Sequence, residues 1–169
     1  YNAFALPGGY AYMFDAMMEM LDTDDMIAAV IAHEIGHITA KHAMKRMQGS
    51  LGVNALMILA AAMAGSGGTL ADTNEAISQM MMSYSRDDEF EADRLSVKYT
   101  KMAGFNPNGV IQSLTRLKEL RKNGREMRYA FYKTHPYLSE RISFARNEIK
   151  GYTDFDSYIN VPEQRDGFY

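Results

Sequence analysis

The stretch "LDTDDMIAAVIAHEIGHITAKHAMKRM", residues 21–47, constrains this chain more than any other. It reads as a helix. Asp22 or Thr23 can cap its start, and Asp24 and Asp25 suit the positive end of its dipole. His33 and His37 lie four residues apart and so share a face. They straddle the column of Met26 and Val30, at the edge of an apolar arc formed by Ile27, Ile31, Ile35 and Ile38. Both imidazoles are therefore expected to point inward. Glu34, next to His33, would stand beside a metal held by the pair, where a carboxylate can take a proton from water. An amphipathic helix with two satisfied core histidines is the plain alternative.

Composition narrows what could complete such a site. The chain has 169 residues, enough for one domain with a real core, and a net charge of −3 with both signs mixed along it. That offers no basic footprint for nucleic acid. There are no cysteines, so any metal must be held by His, Asp or Glu. Fourteen methionines are read as core gap-fillers. The longest apolar run, "LGVNALMILAAAMA" at 51–64, falls short of the ~20 residues that span a bilayer. A buried hairpin or core helix is expected there, with a membrane-facing segment as the minor alternative. No signal peptide is visible, and the chain opens at Tyr1 inside an expected strand, as an excised domain would.

The remaining elements are mostly helical. "YNAFALPGGYAYMF" (1–14) reads as two short strands around Pro7-Gly8-Gly9. Residues 51–64 are helical by composition, and "AGSGGT" (64–69) is a break. A helix over 72–84 leads into a second over 86–103, ended by Gly104. Pro107 opens a helix over 107–122, "KNGRE" (122–126) is a loop, and Pro136 opens a helix reaching about Lys150. The tail from Gly151 lacks helical periodicity. The expected fold is mainly α (α+β), one catalytic domain over 1–150 with a small N-terminal hairpin, and a surface tail over 151–169.

Two histidines need a third ligand. The spacing that places Gly three and His six residues after the second histidine fails, because those positions hold Ala40 and Ala43. His42 comes one residue early and, on a continuous helix, is turned about 140° from His37, so it is expected at the surface. The other source is "SYSRDDEFEADRLSVKY" (83–99). There Glu89 and Asp93 share a face with Ala92, Ser96, Thr100 and Ala103, all small enough to let another helix approach closely. Glu91 and Asp87 point elsewhere. Glu89 as third ligand, with Asp93 one turn on to accept the free N–H of a ligand histidine, completes a three-ligand site with one open position. That is the catalytic form of zinc.

"HEIGH", "SRDDEFEAD", "THPYLSERI" and the opening "NAFALPGG" together resemble the gluzincin zinc metallopeptidases of the HtpX and type I CAAX prenyl endopeptidase family, over residues 2 to about 146. The resemblance implies a zincin-like helical catalytic domain with one zinc ion per chain. Its ligands would be His33, His37 and Glu89, with Glu34 as base and Asp93 in support. His135 and Arg141 match the family's His-Pro…Arg element, which lies near the metal and is thought to assist the transition state or gate the site. The long transmembrane segments of some branches are absent, so the match is nearest to the soluble, periplasmic-type branch. The resemblance further implies polypeptide substrates, unfolded or misassembled proteins above all, in protein quality control at the bacterial periplasm or cell envelope. Peripheral membrane association is compatible with it. One departure concerns "YAYMFDAMMEML", which carries Asp15 and no glycine where the family has a strand ending near one. The alternative function is a zinc-containing peptide-binding or chaperone-like module that does not cleave because its site is occluded.

Overall fold

Pro7-Gly8-Gly9 turns the chain between β1 (Ala3–Leu6) and β2 (Tyr10–Met13), which pair antiparallel with Ala3 opposite Met13 and Leu6 opposite Tyr10. Gly8 and Gly9 have φ of 99° and 97°, a region that residues with a Cβ seldom enter. The structure, a computed structural model, describes residues 1–50, 83–122 and 131–159. Alternation along β1 buries Ala3 and Ala5 on the inner face, while Phe4 stacks on Tyr12 outside with ring centroids 5.1 Å apart.

The stretch that departs from the resembled pattern is helical. α1 (Asp15–Met20) buries Met17 and Met20. Leu21 then ends the run, and α2 (Asp24–Thr39) begins at Thr23, whose hydroxyl accepts from Met26 N at 3.3 Å. The expected single helix over 21–47 is therefore two. Ala40 and Lys41 interrupt it, Lys41 with φ of 58°, before α3 (His42–Ser50). The inward face of α2 is Met26, Ala29, Val30, His33, Glu34 and His37. Of the apolar arc expected to flank it, Ile31 and Ile35 are 41% and 39% exposed.

α4 (Arg86–Met102) carries the acidic stretch. Ser85 caps it in a reciprocal pair with Asp88, each side chain meeting the other's backbone N–H. Its small face meets α2 closely: a Cβ on Gly36 would stand 3.0 Å from Ala92 O, and Ser96 Oγ donates to Ala29 O at 2.8 Å. Gly104, with φ of 85°, follows the helix end. α5 (Asn108–Lys122) crosses at the N-terminus of α2, where a Cβ on Gly109 would lie 2.2 Å from Asp25 O. α6 (Phe131–Thr134) is one turn, and α7 (Leu138–Ile159) completes the described fold. The core is Met17, Leu21, Val97, Leu114, Leu117, Phe131 and Ile142 with their neighbours. The chain is mainly helical with a small two-stranded sheet at its start.

α7 runs through Gly151, where a non-helical tail was expected. A glycine inside a helix costs about 1 kcal/mol relative to alanine, which weakens a helix without ending it. The expected elements at 51–64, 64–69 and 72–82, the loop beyond Lys122, and the tail over 160–169 lie outside the described residues. No helix among the described residues is long and apolar enough to cross a membrane.

Candidate metal centre

Close approach of α2 and α4 at Gly36 carries Glu89 against the two histidines of α2. His33 Nε2 and His37 Nε2 are 3.0 Å apart, and each lies 3.5 Å from one carboxylate oxygen of Glu89. His135, between α6 and α7, adds a fourth group: its Nδ1 is 2.9 Å from Glu89 Oε1 and 3.3 Å from His33 Nε2. One donor atom from each of His33, His37, Glu89 and His135 falls within 4.8 Å of all the others, and all four side chains are buried.

The donors suit a metal of the zinc type. Atoms about 2.0–2.1 Å from a shared ion in tetrahedral array stand roughly 3.3 Å from one another, the size of the spacings here. His33 Nε2 and His37 Nε2 face each other across 3.0 Å, and a cation between them would be met by a lone pair from each ring. Imidazole nitrogen with carboxylate oxygen is a set that zinc accepts.

The outer nitrogen of His33 faces Asp93, with Nδ1 3.0 Å from Oδ1. Asp93 is in turn gripped by Arg141, whose Nε and Nη2 donate to its two oxygens at 2.8 and 2.7 Å. Arg141 Nη1 lies 2.5 Å from Glu89 Oε2, so one guanidinium holds both carboxylates of α4. These side chains are each 1% exposed or less. Arg141 reaches them from the first turn of α7, which starts after Tyr137 at φ of 63°.

Electrostatics follow from this packing. Burial alone would raise the carboxyl pKa values of Glu89 and Asp93, but Arg141 outweighs it, and both are lowered; His135 helps at Glu89 and His33 at Asp93. Burial and Arg141 press on the imidazolium of His33, yet hydrogen bonds to Asp93 and Glu89 prevail and raise it to about 9 in the metal-free protein. Burial holds His37 well below the usual histidine range. Glu34 is raised by burial, with His135 and His33 opposing. Neither oxygen of Glu34 has a hydrogen-bond partner among the described residues, the nearest ring nitrogen being His135 Nε2 at 3.5 Å.

Every residue singled out in the sequence is gathered here: His33, Glu34, His37, Glu89, Asp93, His135 and Arg141. Three more belong to the site. Tyr84 stacks on His37 with centroids 3.8 Å apart, and Phe131 stacks on His135 at 4.1 Å, so each ring is clamped by an aromatic face. The third corrects an expectation. His42 is buried, not at the surface, with its Nδ1 2.9 Å from His37 Nδ1. The turn at Lys41 brings it back over His37, which a continuous helix forbids. A pattern of residue types carries no signal for Tyr84 or Phe131, since aromatics are spread along the whole sequence.

A cavity of about 460 Å³ opens beside His37, between Ala5, Leu6 and Pro7 on one side and Ile38, Lys41 and Met44 on the other.

Residues 1–149 match the family model described as Peptidase family M48. The metalloprotease LoiP of Escherichia coli (strain K12) is 32% identical over 151 residues, covering 88% of this chain and 58% of the relative. The beta-barrel assembly-enhancing protease of Yersinia pestis is 32% identical over 164 residues, covering 86% of this chain and 32% of the relative. The mitochondrial metalloendopeptidase OMA1 of Schizosaccharomyces pombe is 31% identical over 141 residues, covering 83% of this chain and 41% of the relative. The chain thus spans only part of the length of each of these relatives.

Proposed function

The chain belongs to peptidase family M48, and from that premise we propose that it is a zinc endopeptidase acting on unfolded or misassembled polypeptides. The observation that carries the reading is the convergence of His33, His37 and Glu89 beside a buried Glu34 whose oxygens have no partner among the described residues. His33, His37 and Glu89 would hold one zinc ion. When bound, zinc supplies Lewis acidity, which brings the ionisation of a water near neutral pH and polarises a carbonyl.

The protein's own groups do the rest. Glu34 accepts the proton of the attacking water and passes it to the leaving amine; burial raises its pKa and so makes it a better proton acceptor than an exposed carboxylate. Asp93 receives the Nδ1 hydrogen of His33 and fixes that ring. Arg141, its donors taken up by Asp93 and Glu89, acts through these carboxylates. His135, 3.5 Å from Glu34, would stabilise the oxyanion that develops on the substrate. The β1–β2 sheet edge offers main chain to an extended substrate, which reads backbone rather than sequence. The cavity beside His37 would take one substrate side chain. Relatives named as proteases that enhance β-barrel assembly support a role in protein quality control, and the bacterial periplasm or cell envelope is the location proposed with it.

A second reading rests on His135 itself. As the fourth donor, 2.9 Å from Glu89, it can fill the position that water needs, leaving an occluded module that binds zinc and does not cleave. His135→Ala separates the two: cleavage slower by ~10²–10³-fold supports transition-state stabilisation, and faster cleavage supports occlusion. The proposal as a whole is tested by casein hydrolysis with and without chelator, beside Glu34→Gln. The variant should retain zinc and lose hydrolysis by ~10²–10⁴-fold. Chelator-insensitive cleavage by the wild type would contradict it.

A further inference from the structure

We propose that His42 is the positioning residue of His37: it accepts the Nδ1 hydrogen of His37 and so commits Nε2 of that ring to the metal. The inference rests on the zinc site proposed above and extends it to a residue outside the ligand motif. His42 Nδ1 and His37 Nδ1 are 2.9 Å apart, and the two rings meet at 72°. On the far side, His42 Nε2 is 3.1 Å from Glu91 Oε2 and 3.5 Å from Asp88 Oδ1.

Proton bookkeeping along this row has one solution for a neutral ring. A carboxylate only accepts, so His42 Nε2 carries the hydrogen that faces Glu91. A neutral imidazole has one N–H, so His42 Nδ1 is a lone pair. His37 Nδ1 must then be the donor between the rings, and His37 Nε2 is left as a lone pair facing His33 and Glu89. Ligand histidines commonly donate their free N–H to a carboxylate, carbonyl or water. Here a second imidazole takes that place and passes the hydrogen bond on to the acidic start of α4.

The backbone is built for this contact. On an unbroken helix His42 would face away from His37. Lys41, in the left-handed region at φ of 58°, ends α2 and restarts α3 one residue later, with Lys45 N bonding back to Lys41 O at 2.9 Å. A conformation disfavoured for a residue with a Cβ is thus retained where it swings His42 into a buried place beside a ligand.

Two measurements test it. In zinc-loaded, ¹⁵N-labelled wild type, long-range ¹H–¹⁵N correlation should show His37 protonated at Nδ1, and His42 protonated at Nε2 with Nδ1 bare. A hydrogen on His42 Nδ1, or a bare His37 Nδ1, overturns the inference. Chelator competition should then give His42→Leu a zinc affinity ~10–100-fold weaker than wild type. His42→Asn, whose amide oxygen can stand where Nδ1 stood, should recover most of that loss. Should His42→Leu fail to fold, His42→Asn and the wild-type spectrum still decide. Equal zinc affinity in wild type and folded His42→Leu overturns this inference alone. A wild type that binds no zinc overturns it together with the proposed function.

Discussion

His33 and His37 leave the same helix one turn apart, yet their outer nitrogens are secured in opposite ways. His33 is backed by Asp93, itself held by the buried, bidentate Arg141. That row is anionic and cationic throughout, with every member 1% exposed or less beyond the histidine. His37 is backed by a neutral ring, His42, whose own partner Glu91 has a side chain 50% exposed. The first support crosses from α2 to α4 to α7 and ties the site to the core. The second begins locally, with a five-residue step and a turn at Lys41, and ends on the half-exposed Glu91 of α4. Their protonation differs accordingly: in the metal-free protein His33 is raised to about 9, whereas burial lowers His37. A metal ligand can therefore be oriented by charge or by shape, and the two should fail differently when disturbed.

The largest failure is expected at Arg141. Arg141→Met leaves Asp93 and Glu89 buried without their cation, a change that typically costs ~3–5 kcal/mol, read as a lowered denaturant midpoint. An unchanged midpoint would mean that the charged row is no firmer than the neutral one. Next comes Asp93→Asn, for which chelator competition should show zinc held ~10–100-fold more weakly.

A smaller effect separates the rings by pH. The folded-state pKa of His33 lies above its ordinary 6.5, so its contribution to stability is complete below pH 6.5 and is lost as pH rises through about 9. His37 is shifted down, and its contribution changes only below pH 6.5, outside that window. The melting temperature of metal-free protein should thus fall between pH 6.5 and 9. Zinc-loaded protein should be nearly flat there, since zinc displaces the proton. The smallest effect belongs to Glu91→Gln. A half-exposed hydrogen bond contributes about 1 kcal/mol, so zinc affinity should drop by about fivefold.

The pairing of His33 with Asp93 was legible in the sequence; Arg141 entered only through the resemblance, without its grip on Asp93 and Glu89, and the row behind His37 was not legible at all. Helical spacing alone puts His33 and His37 together, and it puts Glu89 and Asp93 on the small face with Ala92 and Ser96, since both depend on local periodicity within one helix. His42 depends on where α2 stops. That stop has no glycine or proline to announce it, only Lys41 in a conformation its residue type seldom adopts. The same limit explains α1 and α6: six and four residues are too short for a period to show, and tertiary packing of Met17 and Phe131 holds them. Gly104 after α4 was readable as a stop, whereas Gly151 inside α7 was not one. A glycine ends a helix where the backbone turns left-handed, and residue type alone does not say where that is.

Zinc content of Glu89→Ala and Glu91→Ala, measured per chain on folded protein beside wild type, tests the metal centre most directly. The two acids are neighbours in one acidic run and differ only in the face of α4 they occupy. Wild type and Glu91→Ala should each carry one zinc, and Glu89→Ala should purify without it. Zinc kept by Glu89→Ala and lost by Glu91→Ala would contradict the site.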